Sequence, residues 1–456
     1  MPTIAEINKI HKEFFNTGTT FDVKFRLQAL KKLQQNIKDN EDEILDALQK
    51  DLNKSHFEGY ETEMGLVYEE LRKTIKNLPK WVKKKTKPTP IIHFLSSSYV
   101  YPEPYGNVLI MSPWNYPFQL TMIPLIGAIA AGNTVVVKPS EYSFNTAEII
   151  EKLITSSFEE KHVNIVRGGR QANQSLLEQK FDYIFFTGSP SVGKFVMESA
   201  SKYLTPITLE LGGKSPCIVD ETADIKLSAK RIVWGKFLNS GQTCIAPDYL
   251  IVHKSVKDEL VKYINYYVEE FYGKTPETCD YYPKIINEKH FERLQGLMKD
   301  GNILIGGRVN TQTRQIAPTI IDNITLDSPI MKEEIFGPLF PILTFNEFGE
   351  VHNIVASNPK PLAFYLFTTN NKIINECVKY LSFGGGCIND TVMHIANSNL
   401  PFGGVGNSGM GQYHSKLTFD TFTHYKAVLK KYNIVDIPMR YPPFNNKLKL
   451  LKMIER

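Results

Sequence analysis

Five short apolar runs recur between Gly106 and Glu210, at 107–111, 134–137, 163–166, 183–186 and 207–209, with helical patterning between them. Runs this short and this apolar suit strands buried on both faces, and parallel strands need helical crossovers to join them. The rhythm therefore predicts a doubly wound parallel sheet covered by helices. Such sheets bind ligands at the carboxyl ends of their strands, so the turns after these runs are where function is sought first.

Residues 211–411 repeat the alternation, with strands expected at 215–219, 250–252, 339–343 and 363–367. At 456 residues the chain exceeds what one core supports, and a second α/β domain takes up the surplus. Residues 1–80 read as helices, with Leu27, Leu30, Leu33 and Ile37 on one face and with lysines and acids on solvated faces. The lysine run at 83–85, Pro88, Pro90 and the serines at 96–98 mark 84–101 as an extended arm. The Thr- and Phe-rich stretch 417–426, with 427–435 after it, suits a hairpin or edge strand. The longest apolar run, 120–137, is broken by Pro124, Gly132 and Asn133; it reads as helix, turn and buried strand rather than a membrane span.

Composition removes several classes of function. A net charge of +5 spread along the chain gives no concentrated basic face, so no nucleic-acid partner is expected. Five cysteines, at 217, 244, 279, 377 and 387, are odd in number and form no CxxC pair. That argues against a disulfide framework and a zinc site; no metal is expected, and a reducing cytoplasm fits. No basic segment followed by an apolar core opens the chain, so no signal peptide is read.

Two glycine-rich stretches imitate nucleotide motifs. Gly188-Ser189-Pro190-Ser191-Val192-Gly193-Lys194 is nearly a P-loop, but Phe195 stands where the magnesium-binding hydroxyl belongs, which argues against a triphosphatase. What remains is a strand–turn–helix with Gly188, Ser189 and Gly193 in the turn, where free backbone N–H groups suit a pyrophosphate. The segment 404–409 spells G-x-G-x-x-G but follows Leu400-Pro401-Phe402 rather than a strand. It reads as a loop near the active site, not a dinucleotide fingerprint.

The candidate nucleophile is Cys244, in Phe237-Leu238-Asn239-Ser240-Gly241-Gln242-Thr243-Cys244. A thiolate attacks carbonyl carbon readily, although a lone cysteine is more often a small buried hydrophobe. Three further stretches accompany it: Glu210 in Leu209-Glu210-Leu211-Gly212-Gly213-Lys214, Asn115 in Pro113-Trp114-Asn115-Tyr116-Pro117, and Glu333-Glu334-Ile335-Phe336-Gly337-Pro338. Together the four resemble the aldehyde dehydrogenase superfamily nearly end to end. Asn-Tyr-Pro in the first loop, the length and the segment 401–411 look most like its class 3 branch, which includes fatty aldehyde dehydrogenases.

The resemblance implies a Rossmann-type NAD(P)-binding domain (1–83 and 102–210) and an α/β catalytic domain (211–411). It also implies an oligomerisation arm (84–101 and 412–434) that builds a homodimer, followed by a basic tail (435–456). It implies that Cys244 attacks an aldehyde to give a thiohemiacetal, whose oxyanion is met by the Asn115 amide and the Cys244 backbone N–H. Hydride transfer to the nicotinamide then leaves a thioester, and Glu210 acts as the base for its hydrolysis. Lys138 and Glu141, after the second run, would hold the adenosine ribose. Gly188, Ser189 and Gly193 would form the dinucleotide turn, and Glu334 and Phe336 would touch the nicotinamide ribose and ring.

A carboxylate at Glu141 favours NAD, with NADP as the alternative. Tyr116, Leu120, Leu238, Thr243, Ile395 and Phe402 would line an apolar tunnel for medium- or long-chain aliphatic or aromatic aldehydes. His394 and His414 are expected to be structural. Coenzyme A-acylating and semialdehyde-specific dehydrogenases are the enzymatic alternatives, and Glu210 argues against the first; a non-catalytic relative is the other. The stretch 446–454, basic and apolar together, suits packing on the body or peripheral contact with anionic lipid.

Overall fold

The computed structural model describes residues 3–436, 438–445 and 447–454. All five runs of the first rhythm are strands: Asn107–Met111, Thr134–Lys138, Val163–Ile165, Tyr183–Thr187 and Ile207–Glu210. They pair in parallel, with Asn107–Met111 between Tyr183–Thr187 and Thr134–Lys138, so that Val108 stands opposite both Tyr183 and Val135. The crossover helix Gln119–Ala131 is buried along its whole length, as a helix between sheet and outer helices must be. Gly132, at φ 99°, ends it in the left-handed region that glycine adopts freely. The α/β expectation holds.

A second sheet takes the remaining strands in the order Asn302–Ile305, Thr319–Asp322, Leu339–Phe345, Tyr249–His253, Pro216–Val219, Ala363–Phe367, Gly385–Ile388, all parallel but the first. The two outer strands at one edge and Gly385–Ile388 at the other carry too weak a pattern to be expected from the sequence. The first two have only four residues each, the outermost is mostly exposed, and the third is half glycine.

Three expectations are corrected. Gly409–Met410, placed with residues 211–411, is instead the antiparallel edge strand of the first sheet, opposite Glu210 and Leu209. The extended arm does not stop at 101: Ser96–Pro104 pairs with Thr423–Lys431 from Ser96 to Pro104, and Lys85–Lys87 covers its other edge. Finally, the expected hairpin or edge strand is an edge strand only over Thr423–Lys431, and Lys416–Thr421 before it is helix. This helix turns Phe419 into the core against Trp81 (ring centroids 5.6 Å) and packs so closely on Gln119–Ala131 that a Cβ on Gly127 would overlap Thr418.

The solvated-face reading of residues 1–80 also fails at Arg26, Asp51, Lys54, Glu63 and Glu70, all buried. The Arg26 guanidinium donates to the Thr20 and Ala130 carbonyls (2.6 and 3.0 Å), which ties the first helices to Gln119–Ala131. Among the described residues no helix is long and apolar enough to cross a membrane. Of the tail stretch 446–454, Asn446 lies outside the described residues; Lys447–Ile454 is a helix that exposes Leu448 and Met453.

Candidate active site

Two hollows lie at the carboxyl ends of the first sheet's strands. The first is a cavity of about 130 Å³ whose wall includes Cys244 and Glu210. It gathers all six expected tunnel residues, Tyr116, Leu120, Leu238, Thr243, Ile395 and Phe402. Among the described residues no lysine or arginine lines it.

Cys244 is held there by a loop with unusual backbone geometry. Asn239, Ser240 and Gly241 adopt φ of 51°, 53° and 71° in succession. A Cβ on Gly241 would overlap the Gly337 carbonyl, so the third position admits only glycine. The first two are non-glycine residues in the left-handed region, a strain that persists only where surroundings over-determine it. Gln242 supplies that constraint: its amide donates to the Asn239 and Lys284 carbonyls (3.1 and 3.0 Å) and accepts from the Ile286 N–H (3.1 Å). Beyond the cysteine, the Ile245 carbonyl accepts from the Tyr365 hydroxyl (2.5 Å).

Glu210 ends its strand, and its carbonyl accepts from the Gly188 N–H (3.0 Å), which joins the base candidate to the phosphate turn. Neither carboxylate oxygen has a hydrogen-bond partner among the described residues. Burial alone raises its pKa well above the ordinary carboxylate range. A carboxylate in that condition takes up a proton more readily than an exposed one, as a general base near neutrality should. Burial, then the carboxylates of Glu334 and Glu210, push the Cys244 thiol up as well.

Asn115 is buried and its side-chain amide donates to the Gln242 carbonyl (3.0 Å), two residues before Cys244. That leaves its second N–H. The neighbouring Tyr116 hydroxyl is 2.6 Å from Thr243 Oγ1. Both side chains of the Asn-Tyr pair thus bond to the cysteine loop. His394 and His414 lie flat against Phe402 (6.2 and 5.2 Å between centroids), and burial lowers both to about 4, so they are neutral at physiological pH.

The second hollow is a cleft of about 670 Å³ at the carboxyl ends of the first sheet, lined by Lys138 and Glu141 with Ser191 and Val192. The turn that carries the last two begins at Gly188, where a Cβ would crowd the Phe186 ring at 2.6 Å. Ser189 caps helix Pro190–Ser201, and Gly193 lets that helix sit on Leu211, 2.8 Å from where a Cβ would fall. Lys138 is nearly enclosed, its ammonium donating to the Pro139 carbonyl (2.8 Å); burial lowers it to about 8 against the opposing pull of Glu141. The cleft suits a dinucleotide: it pairs a cation and a carboxylate with a glycine turn at a helix N-terminus.

Glu334 and Phe336 line neither hollow. A Cβ on Gly212 would overlap the Glu334 carboxylate, which burial raises to about 8. Phe336, at φ 50°, meets Trp114 edge-on at 5.3 Å. Glu333 points away, to an ion pair with Arg293 (3.0 Å). The loop carrying them is fixed by Lys214, whose ammonium donates to Asp248 and to the Ile330 and Glu333 carbonyls (2.5, 3.0 and 2.9 Å). The glycine segment 404–409 lies beside Glu210, its Ser408 carbonyl accepting from the Leu211 N–H (3.1 Å).

A profile described as "Aldehyde dehydrogenase family" matches residues 4–428. The chain belongs to the aldehyde dehydrogenase family. Among curated relatives, the enzyme is 48% identical to the 4,4'-diaponeurosporen-aldehyde dehydrogenase of Staphylococcus aureus, over 97% of this chain and 96% of that one. It is 42% identical to the dimeric NADP-preferring aldehyde dehydrogenase of Rattus norvegicus, over 98% and 99%. Its fold superposes on the substrate-bound state of a Staphylococcus aureus AldH with a TM-score of 0.98 at 47% identity, each chain wholly covered. Aldehyde oxidation is therefore the chemistry of this enzyme.

Several wall residues carry no expectation from the sequence. In the cavity these include Trp234, Val392 and Tyr413, apolar side chains that look like any core residue in a sequence. In the cleft they include Gly168, Gly169 and Arg170, for which a signal exists: a glycine pair after strand Val163–Ile165 that opens helix Arg170–Leu177. Among the described residues no group of three or more His, Cys, Asp or Glu is arranged to hold a metal.

Proposed function

We propose that the enzyme oxidises apolar aldehydes to free carboxylic acids through covalent intermediates on Cys244, with Glu210 as the hydrolytic base. The observation that carries this reading is Glu210 itself, a buried carboxylate with both oxygens unpartnered, on the same cavity wall as the thiol. A structural glutamate in that position would have its oxygens satisfied.

Cys244 adds to the aldehyde carbon, and the resulting oxyanion is met by the remaining N–H of Asn115 and the backbone N–H of Cys244. The bound dinucleotide supplies the hydride acceptor. Once the carbon has lost hydride it is a thioester on Cys244, and water activated by Glu210 releases the acid. Lys138 and Glu141 hold the adenosine ribose, the turn at Gly188, Ser189 and Gly193 receives the pyrophosphate, and Glu334 and Phe336 orient the nicotinamide end. NAD is the expected cofactor because Glu141 disfavours a 2′-phosphate, while NADP stays an alternative.

The absence of cationic side chains from the cavity wall supports medium- or long-chain aliphatic or aromatic substrates over semialdehydes that carry a carboxylate. The enzyme works as a cytoplasmic homodimer joined through the arm strands Ser96–Pro104 and Thr423–Lys431. The exposed Leu448 and Met453 of the tail helix suit peripheral contact with lipid.

The test follows reduced-nicotinamide absorbance with NAD or NADP and hexanal, benzaldehyde or succinic semialdehyde, each with and without coenzyme A. Turnover of hexanal or benzaldehyde without coenzyme A, abolished by Cys244→Ala, is expected. An absolute need for coenzyme A would contradict the role of Glu210, and activity on succinic semialdehyde alone would contradict the apolar cavity.

A further inference from the structure

Among the buried lysines that the mechanism leaves unused is Lys54. Lys54 follows helix Glu41–Leu52 and Asn53, which turns the chain inward at φ 58°. Its side chain and that of Glu63 are both 0% exposed, and they form an ion pair of 2.6 Å. Burying such a pair brings little net stability, since the lost hydration offsets the attraction. Its position suggests a different purpose.

The pair grips the Asn115 loop at four residues. Lys54 Nζ donates to the Asn115 carbonyl (2.9 Å) and sits 3.9 Å from the centre of the Tyr116 ring. Glu63 Oε2 accepts from the N–H groups of Phe118 and Gln119 (2.8 and 3.2 Å). The second acceptor position on the Asn115 carbonyl is filled by Asn239 Nδ2 (2.8 Å), from the strained turn before Cys244. The backbone N–H of Asn239 in turn donates to Glu58 (2.8 Å), a half-buried carboxyl that desolvation raises to about 7 against the pull of Lys54. With both lone pairs of its carbonyl engaged, the Asn115 peptide plane has one orientation, and its side chain is aimed from a fixed base.

We propose that Lys54, paired with Glu63, is a positioning residue that sets Asn115 for oxyanion stabilisation. It acts through Asn115, without touching the substrate or Cys244. This rests on the reading of Asn115 as an oxyanion donor.

Lys54→Met keeps the side chain's length and removes its charge and donors. Because it leaves Glu63 unpaired, Lys54→Met/Glu63→Gln is made beside it; the glutamine oxygen still accepts from the Phe118 and Gln119 amides. Both variants, Asn115→Ala, and Asn115→Ala combined with each are assayed with hexanal and NAD, and NAD affinity is measured by calorimetry. In either Lys54 variant kcat should fall ~10–100-fold while NAD affinity and the KM for hexanal stay within about threefold. In the Asn115→Ala background the same change should cost less than about twofold more, because a residue acting through Asn115 has nothing left to position.

Independent, multiplying losses would overturn the proposal while leaving Asn115 its role, as would an equal loss of NAD affinity and kcat. Wild-type kcat in Asn115→Ala alone would overturn the oxyanion reading itself. If the single lysine variant does not fold, the charge-free double variant carries the test.

Discussion

The cavity around Cys244 and the cleft on the first sheet are linked where the Gly188 N–H bonds the Glu210 carbonyl, but they are assembled from different material. The cleft is walled by strand ends and by the turns and first helical residues that follow them, after Asn107–Met111, Thr134–Lys138, Val163–Ile165 and Tyr183–Thr187. Its groups arrive in chain order, and its turn chemistry is local. The cavity draws its wall from side chains at 61–66, 116–120, 234–245 and 392–402 and from Thr187, Glu210, Leu362 and Tyr413, positions that meet only after the whole chain has packed. A binding cleft made of strand-end turns is specified locally, whereas a reaction chamber made of side chains is specified by tertiary structure. The two regions should therefore fail separately.

Cys244→Ala makes the sharpest break. Turnover should fall by ~10³-fold or more, while NAD affinity by calorimetry remains within about twofold of wild type. A tenfold loss of affinity would mean that the regions are not separable. Glu210→Gln should come next, with kcat lower by ~10²–10⁴-fold but a first-turnover burst of reduced nicotinamide preserved, because only the hydrolytic half needs the base. Loss of the burst would place Glu210 in the first half-reaction. Lys138→Ala works from the other side. It should weaken NAD binding ~10–100-fold, the worth of a charge-assisted hydrogen bond, and leave kcat at saturating NAD nearly unchanged.

Much of this division is legible in the amino-acid sequence. The five apolar runs specify the first sheet because strands buried on both faces have little freedom in composition. The turn at Gly188 is readable because strand, glycine and helix lie within a dozen residues. Cys244, Glu210 and Asn115 stand out through resemblance, and the structure places the first two on one cavity wall with Asn115 bonded to the cysteine loop. Lys54 and Glu63 are not legible: in an amphipathic helical region a lysine and a glutamate look solvated, and only tertiary packing shows that they are enclosed. Lys416–Thr421 reads as strand because Thr and Phe favour strands, and the contact of Phe419 with Trp81 overrides that local preference. Gly409–Met410 falls to the wrong sheet because a two-residue edge strand leaves no periodic signal.

The smallest expected effect concerns stability. Burial raises the Glu70 carboxyl to about 7, so the folded protein holds this proton more tightly than the unfolded chain does. Its contribution is therefore lost as pH rises from about 4.5 through about 7, worth roughly 3 kcal/mol at most. Glu70→Gln keeps an oxygen for the Ser415 N–H and removes the titration. Its Tm relative to wild type should rise across that window. A pH-independent difference would mean that Glu70 ionises in the fold as it does in water.

The most direct test of the chemistry is intact-protein and peptide mass spectrometry of Glu210→Gln quenched after mixing with NAD and hexanal. An acyl group should accumulate on Cys244 in the variant and be absent or short-lived in the wild-type enzyme. An unmodified Cys244 in the variant, or an adduct that decays equally fast in both proteins, would contradict a cysteine thioester cleared by Glu210.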